Sequence, residues 1–139
     1  KLMYEMTIGG VKVFLYHFAL GKQVRALQFS EIKKIIKKDQ PTIICGDFNT
    51  FGFWHFNMVV GWIYNYSWEE FFMDEKSSLE GMLKKYNLVN VFNWEVTYPW
   101  LATQLDFIVT EKRVKVAHKR VFTETFGSDH RPLLIKASI

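Results

Sequence analysis

Three short segments of the sequence place acid, amide or imidazole groups in or beside apolar runs that are typical of β-strands. They are Gly46-Asp47-Phe48-Asn49, Leu105-Asp106-Phe107-Ile108 and Gly127-Ser128-Asp129-His130-Arg131-Pro132. Rigid scaffolds usually present functional groups at strand ends and on the loops that leave them. We therefore treat the polar side chains of these segments as the candidate functional residues.

Asp47 and Asn49 lie two residues apart, so in an extended backbone their side chains face the same side. A carboxylate beside an amide oxygen suits a hard cation such as Mg²⁺, with Mn²⁺ or Ca²⁺ as alternatives. The same Asp-x-Asn composition is also common in turns, where the acid closes the loop through a backbone hydrogen bond. The sequence leaves the metal site and the structural turn both open.

Asp129 and His130 form a neighbouring acid and imidazole, of which one can hold a metal while the other handles a proton or a phosphoryl oxygen. A loop with a solvated histidine explains this isolated pair equally well. Asp106 is more unusual, because it interrupts an apolar run and an unpaired carboxylate in a buried strand is costly. His130 is its natural partner, since a buried carboxylate orients an imidazole and favours its charged form.

The elements that would position these residues follow from hydrophobic periodicity. Leu2–Ile8 and Val11–His17 are predicted strands joined by Gly9-Gly10, a pair that tolerates the positive φ angles of a two-residue hairpin turn. From Gly21 to Lys38 the period becomes helical, and the predicted buried stripe comprises Val24, Leu27, Ile32, Ile35 and Ile36.

A second helix is predicted near Ser77, which has the spacing of a capping box with Glu80 and precedes an apolar stripe. Further strands are predicted over Thr42–Cys45 and over residues 104–110, 114–122 and 132–139. This order predicts an α/β (α+β) chain with one mixed sheet and helices on its outer face. Residues 1–139 are predicted to form a single domain.

The composition is compatible with this predicted fold, but it does not specify the fold or the function further. The chain has 139 residues, of which 49% are hydrophobic and 23% charged, which is globular and not disordered. The net charge of +4 suits a polyanionic substrate without requiring one. The single cysteine, Cys45, cannot form an intrachain disulfide, so no oxidising compartment is required. Lys1 leads directly into the first predicted strand without a signal-type segment, and the sequence indicates no localisation.

Aromatic residues concentrate between Phe51 and Trp68, in a stretch without formal charge. The stretch is shorter than a spanning helix and is interrupted by Gly and Asn, so we expect no transmembrane segment. Core and loop packing is the commonest interpretation of such a stretch. A lipid-facing or substrate-facing loop and a dimer surface are the alternatives.

The three polar segments also resemble a known family. The segment from Ile44 to Asn49 resembles the Gly-Asp-Phe-Asn signature of the endonuclease/exonuclease/phosphatase superfamily. Leu105–Ile108 is similar to the later Asp-[Tyr/His]-Ile strand of that family, and Ser128–Leu133 is similar to its Ser-Asp-His closing motif. These motifs occur in the family's order, and the ordered set carries the resemblance.

Two weaker matches fall between them. Val13–His17, followed by Arg25 and Gln28, resembles the family's strand that ends in His before a helix. Thr97-Tyr98-Pro99 is similar to the Thr-Phe-Pro stretch of some bacterial members. The resemblance therefore extends from Val11 to Leu134.

The resemblance implies a role for each matched residue. Asp47 would orient or deprotonate the attacking water beside the metal, and Asn49 would bind the scissile phosphate or help to hold the metal. Asp129 would be a metal-site carboxylate. His130, paired with Asp106, would contact the phosphate and stabilise the pentacovalent transition state.

The implied activity is Mg²⁺-dependent hydrolysis of a phosphodiester, in nucleic acid or in a phospholipid-like ester, with His17 as a second phosphate contact. Such hydrolysis needs an aligned water and positive charge on the equatorial oxygens. One alternative is a catalytically incomplete or non-catalytic module that keeps the signature residues. Phosphomonoester hydrolysis is a further alternative, ranked lower because the basic motifs of the family's inositol phosphatases are not seen.

One departure from the family pattern concerns its N-terminal half, which contributes an early Asn and a metal-binding Glu. Neither motif has a counterpart, because the only acids before Asp39 are Glu5 in the predicted hairpin and Glu31 in the predicted helix. The resemblance therefore implies the C-terminal half of a four-layer α/β/β/α sandwich, with the N-terminal half absent. The inner sheet face would then be bare, and either the missing half or a second copy in a homodimer would cover it.

Overall fold

The computed structural model describes residues 3–36, 40–50, 61–62, 67–68 and 74–139. The strands in these ranges are β1 (Met3–Ile8), β2 (Val11–His17), β3 (Thr42–Asp47), β4 (Leu88–Asn90), β5 (Asp106–Glu111), β6 (Lys115–Val121) and β7 (Leu133–Ser138). The helices are α1 (Lys22–Ile35) and α2 (Glu75–Lys85), and a 3₁₀ turn at Pro99–Leu101 precedes β5.

Five of the strands form one mixed sheet in the spatial order β1-β2-β3-β5-β4, and β6 pairs with β7 as a separate hairpin. β2 and β3 are parallel, since α1 carries the chain back between them, and the other neighbours in the sheet are antiparallel. The carboxyl ends of β2 and β3 therefore meet at the end of the sheet where β5 begins.

The predicted β1–β2 hairpin is confirmed. Ile8 pairs with Val11, and Gly9 and Gly10 between them have φ angles of 53° and 82°. Positive φ at both central residues is the requirement of a type I′ turn, which glycine meets without steric cost.

The core lies on one face of the sheet. Phe14, Ile44 and Val109 are partners across β2, β3 and β5, and all three are buried. They belong to one apolar cluster with Ile32 of α1 and Leu79 of α2, so both helices pack on this face. The predicted mixed sheet with helices on one side is therefore confirmed, whereas the four-layer sandwich and the single domain remain predictions.

The stripe predicted for α1 is wrong in its N-terminal half. Val24 and Leu27 are exposed, whereas Lys22 and Arg25 are buried. Arg25 forms an ion pair with Glu75 of α2, and this partner allows the charged side chain to be buried between the helices.

The start predicted for α2 is three residues too late. The N-cap is Asp74, whose carboxylate accepts a hydrogen bond from the backbone N–H of Ser77 at 3.1 Å. Asn87, with φ 56°, follows the helix in a left-handed conformation, which asparagine adopts more readily than most residues.

The opposite face of β1 and β2 is exposed. Tyr4, Met6, Ile8 and Leu15 lie on it with 56%, 38%, 60% and 38% of their surface accessible. They share a face because Tyr4 and Leu15 are direct partners and side chains alternate along each strand. We call this surface the open sheet face, and it agrees with the bare face expected from the sequence.

The aromatic stretch from Phe51 to Trp68 falls mostly outside the described residues, and so do the three interpretations given for it. Trp62 and Trp68, which are described, are exposed. In the described part of the chain, no helix combines the length and apolar character that crossing a bilayer requires.

Candidate active site

Three of the predicted polar residues lie side by side across three strands. His17 is the cross-strand partner of Asp47, and Asp47 is in turn the partner of Asp106. Directly paired residues project from the same side of a sheet, which here is the side of the open sheet face. The strand register therefore brings one imidazole and two carboxylates together at the end of the sheet.

Gly46 permits this arrangement immediately before Asp47. Its φ is 132°, and a Cβ atom at this position would lie only 1.9 Å from the carbonyl oxygen of Tyr16 on the neighbouring strand. Glycine is required because both the conformation and the close backbone approach exclude a side chain.

Asp47 closes a turn with one of its two carboxylate oxygens. Its Oδ1 accepts a hydrogen bond of 2.8 Å from the backbone N–H of Asn49, which has a left-handed φ of 49°. Its Oδ2 lies 3.7 Å from Nε2 of His17, which is longer than a hydrogen bond. The structural turn left open by the sequence is thus present, and it engages one oxygen while the other lies on the side of His17.

The environment of Asp47 favours its protonated form. Burial of the carboxylate is the largest cause of the raised pKa of Asp47, and the negative charge of Asp106 raises this pKa further. The backbone hydrogen bond from Asn49 and the charges of His130 and His17 act in the opposite direction without cancelling it. A carboxylate whose pKa lies nearer neutrality is a stronger base than an ordinary one.

The predicted contact between Asp106 and His130 is confirmed. Oδ2 of Asp106 lies 2.7 Å from Nδ1 of His130, and both side chains are about three-quarters buried, with 22% and 26% of their surface accessible. A carboxylate at Nδ1 fixes the orientation of the ring and leaves Nε2 as the atom that can meet a ligand.

The charges around His130 favour the imidazolium form. Burial lowers the pKa of His130, but the hydrogen bond and the negative charge of Asp106 raise it, as do the charges of Asp47 and Asp129. The net pKa of His130 lies above its ordinary value of 6.5. All three predicted acids therefore act electrostatically on this one ring.

A tight loop presents His130. The hydroxyl of Ser128 accepts a hydrogen bond of 3.0 Å from the backbone N–H of His130, and the backbone N–H of Ser128 donates to the carbonyl of Thr125. The ring of Tyr98 lies 4.9 Å from the His130 ring, measured between centroids. Asp129 is exposed and makes no hydrogen bond to the other candidate residues within the described ranges.

Asn49 is buried, and its amide nitrogen is already engaged. Nδ2 donates a hydrogen bond of 2.9 Å to the carbonyl oxygen of Phe18, the residue after His17. The contact ties the end of β2 to the turn after β3, and it leaves Oδ1 and the second N–H of the amide available for a ligand.

The donor atoms of this site are of the type that a hard cation prefers. Asp47, Asp129 and Asn49 all offer oxygen, and Mg²⁺ commonly takes one or two protein carboxylates while keeping several waters. Among the residues that the structure describes, no group of three His, Cys, Asp or Glu side chains could hold an ion. The predicted ligands therefore fit Mg²⁺ in donor type, but they do not form a closed protein cage.

Sequence reasoning assigned no site role to Thr97, Tyr98 or Arg131. Thr97 is fully buried and hydrogen-bonds to the backbone on both sides of the Asp106–His130 pair, while Tyr98 contacts the His130 ring. Arg131 lines the same cleft as Asp106 and His130, and its buried Nε has no hydrogen-bond partner within the described residues. The only feature of the sequence that pointed to these three residues was their position inside segments that resemble the family.

The cleft beside the site has a volume of about 360 Å³. It lies between the open sheet face, at Leu15 and Ile108, and the loop that carries His130. Cys45 also lines it, but burial raises the pKa of its thiol to about 11, so this cysteine is not an activated nucleophile.

The chain matches no protein-family model and no curated protein. Solved structures do match it. An endonuclease/exonuclease/phosphatase protein from Beutenbergia cavernae aligns with a TM-score of 0.64 and 14% identity over 96% of this chain and 37% of that protein. TDP2 from D. rerio, in complex with a single-strand DNA product, gives a TM-score of 0.61 and 16% identity over 99% of this chain and 60% of that protein. A mannosyl-6-phosphatase from Bacteroides thetaiotaomicron gives a TM-score of 0.59 and 18% identity over 93% of this chain and 51% of that protein.

The chain therefore spans between about a third and three-fifths of the length of these three proteins. Identities below a quarter establish the likeness of the fold and leave function to be argued from the site. The strand order, the helices on one face and these alignments together show that the chain has the fold of the endonuclease/exonuclease/phosphatase proteins, over part of their length.

Proposed function

We propose that this chain carries the phosphodiester-hydrolysing residues of a Mg²⁺-dependent enzyme. The observation that carries the proposal is the geometry of His130, whose Nδ1 lies 2.7 Å from Asp106 at the end of the row formed by His17, Asp47 and Asp106. An acid-paired imidazole beside a buried carboxylate supplies both a positive charge and a base.

Asp47 is the base of the proposed reaction. The backbone N–H of Asn49 holds Oδ1 of Asp47 in place, and Oδ2 is left on the side of His17, where it can accept a hydrogen bond from a water. A carboxylate positioned in this way is suited to orienting and deprotonating the attacking water.

His130 is the proposed phosphate-binding cation. Because Asp106 occupies Nδ1, the protonated ring can donate from Nε2 to a phosphoryl oxygen, where negative charge increases in the transition state. His17, whose side chain is 61% exposed, is a proposed second contact to the phosphate.

Asn49 is a proposed ligand of the cation or of the phosphate. Its Nδ2 donates one N–H to the carbonyl of Phe18, so the second N–H of the amide can donate to a phosphoryl oxygen and Oδ1 can coordinate a metal. Asp47 and Asp129 are the proposed carboxylate ligands. When bound, Mg²⁺ would supply Lewis-acid stabilisation of the charge on the phosphate.

The substrate class is proposed from the same chemistry. TDP2 from D. rerio is complexed with a single-strand DNA product, and another structural neighbour is the endonuclease domain of the retrotransposon TRAS1. The net charge of +4 is compatible with a nucleic-acid phosphodiester, and a phospholipid-like ester offers the same reacting group.

The test is hydrolysis of bis-p-nitrophenyl phosphate with Mg²⁺, with Mn²⁺ or Ca²⁺ in its place, and with EDTA. We expect EDTA to abolish turnover and His130→Ala to lower kcat by about 100-fold or more. His118→Ala, which removes an exposed imidazole from β6, is the matched control and should keep full activity. Turnover that survives both EDTA and His130→Ala would overturn the proposal.

A second candidate is a module without catalytic activity. It is favoured by one observation, namely that the described residues provide no group of three acidic, imidazole or thiol ligands. This candidate predicts weak Mg²⁺ binding by calorimetry and no turnover of the diester. The same assay with p-nitrophenyl phosphate tests the phosphomonoesterase alternative, since a preference for the monoester would identify it.

A further inference from the structure

Thr97 hydrogen-bonds to both of the segments that carry the Asp106–His130 pair. We propose that Thr97 is a positioning residue that holds these two side chains in register for catalysis. The inference rests on the proposed function, because it assigns a role in the same reaction to a residue that acts through the Asp106–His130 pair.

The side chain of Thr97 fixes the start of β5. Its Oγ1 accepts hydrogen bonds from the backbone N–H groups of Leu105 and Asp106, both at 3.0 Å. One of the two donors is the backbone N–H of the acid itself, so the hydroxyl determines where the Asp106 side chain leaves the strand.

The backbone of Thr97 fixes the loop on the other side of the pair. Its carbonyl oxygen accepts a hydrogen bond of 2.7 Å from the backbone N–H of Arg131, the residue after His130. Asp106 and His130 are 2.7 Å apart through their side chains, and Thr97 joins the backbone at Asp106 to the backbone at Arg131, next to His130. These contacts form a closed circuit.

The segment that contains Thr97 is itself braced. The backbone N–H of Thr97 and that of Tyr98 both donate to the carbonyl of Thr103, and Ala102 completes the loop in a left-handed conformation with φ 48°. Tyr98 places its ring against His130. Thr97 therefore belongs to a short closed loop, which is the kind of support that a precise site needs.

The residue type fits this role. Thr97 has no accessible surface, and its β-branched side chain has few rotamers, so Oγ1 stays where the N–H groups of Leu105 and Asp106 need an acceptor. Valine has nearly the same shape without the oxygen, and serine keeps the oxygen without the methyl group. The two substitutions separate the hydrogen bonds from the packing.

The first readout does not require activity. In the full chain with Thr97→Val, backbone amide exchange at Leu105 and Asp106 should be about tenfold faster relative to core amides of β3, because each N–H loses its acceptor. Thr97→Ser should exchange as the wild type does. Thr103→Val is the matched control, since Thr103 is buried in the same loop and its side chain makes no hydrogen bond within the described residues.

The second readout separates positioning from general stability. Thr97→Val should lower kcat on the order of 100-fold with little change in KM, and Thr97→Ser should restore most of it. In a His130→Ala background, Thr97→Val should lower kcat by less than about a further twofold. A residue that acts through His130 has no effect on catalysis once that side chain is absent. An equal loss of kcat in both backgrounds would overturn the proposal.

Failure of the proposed function has a different signature. If the wild-type chain shows no turnover while Thr97→Val still accelerates exchange at Asp106, the proposed function fails and the bracing of the pair stands. If exchange at Leu105 and Asp106 is unchanged in a folded Thr97→Val chain, the inference about Thr97 is wrong regardless of activity.

Discussion

Asp47 and Asp106 are direct partners across two antiparallel strands, an arrangement in which like charges repel. The raised pKa of Asp47, caused first by burial and then by this neighbouring charge, means that the folded state binds the proton more tightly than the unfolded state. The corresponding stability is fully present below the ordinary value of 3.8 and is lost as pH rises through the higher folded pKa.

Replacing Asp47 by Asn should therefore stabilise the fold at neutral pH while removing the proposed base. Asparagine keeps an oxygen for the N–H of Asn49, so we expect the free energy of unfolding at pH 7 to rise by about 0.2–1 kcal/mol. Urea titrations at pH 7 and pH 3 would measure this change in the free energy of unfolding, with exposed Glu124→Gln as the control. A gain that does not shrink at pH 3, or a loss at pH 7, would contradict the assigned cause.

His130 gives a second pH-dependent prediction, with the same sign. Burial lowers the pKa of His130, and the hydrogen bond and charge of Asp106 together with the charges of Asp47 and Asp129 raise it by more. The stability that the charged ring contributes is therefore fully present below 6.5 and is lost as pH rises through the higher folded pKa. Asp106→Asn should lower the pKa of His130, as followed by the ring protons in NMR. Glu124→Gln, which removes an exposed acid from the loop that precedes His130, should leave that titration unchanged. An unaltered titration in Asp106→Asn would show that Asp106 is not the main charge partner.

At the level of helices and strands, the sequence predicts those elements whose buried positions require apolar residues. The hairpin and the strands β3, β5, β6 and β7 follow from apolar runs and turn residues, and the Asp106–His130 contact follows from a buried acid that needs a partner. The role of Thr97 does not follow, because its hydrogen bonds go to backbone groups that any sequence would possess. β4, with only three residues, is too short to show a period of two.

Helix α1 shows why periodicity alone misplaced a buried face. Arg25 donates hydrogen bonds of 2.7 Å to the carbonyls of Ala19 and Leu20 and pairs with Glu75. These carbonyls belong to the loop that follows β2, so this loop needs a buried hydrogen-bond donor more than an apolar contact. Arg25 therefore lies on the buried side of α1, and Val24 is exposed. The sequence of α1 alone does not show that these loop carbonyls require a hydrogen-bond donor.

Two glycines offer a matched test of the strand geometry. In Gly46→Ala the new Cβ would lie 1.9 Å from the carbonyl oxygen of Tyr16, so β2 and β3 would be forced apart. We expect the chain either not to fold or to lose several kcal/mol of its free energy of unfolding. Gly81 lies within α2, where a Cβ would contact nothing within 4 Å, so Gly81→Ala should stabilise by about 0.5–1 kcal/mol. Thermal unfolding of both variants measures the contrast, and a Gly46→Ala chain as stable as the wild type would refute the close approach.

At the scale of the whole molecule, the site and the exposed apolar surface lie on the same side of the sheet. The row from His17 to Asp106 projects from this side, and Tyr4, Met6 and Ile8 continue it along the edge strand β1. An exposed apolar face next to the edge strand of the described sheet favours association. The structural neighbours are longer proteins, of which this chain covers 37% to 60% in the three alignments given above.

We therefore expect the isolated chain to self-associate through the open sheet face. Sedimentation velocity should show a mass that increases with concentration, and Tyr4→Lys with Ile8→Lys should return the chain to a monomer, because lysines on an edge strand prevent pairing. Val24→Lys with Leu27→Lys is the matched control, since these residues are equally exposed but lie on the helix layer. If the Val24→Lys, Leu27→Lys variant is monomeric and the Tyr4→Lys, Ile8→Lys variant still associates, the helices form the contact surface. The open sheet face then stays exposed to water. A wild-type chain that stays monomeric at all concentrations would show that this apolar surface does not drive association.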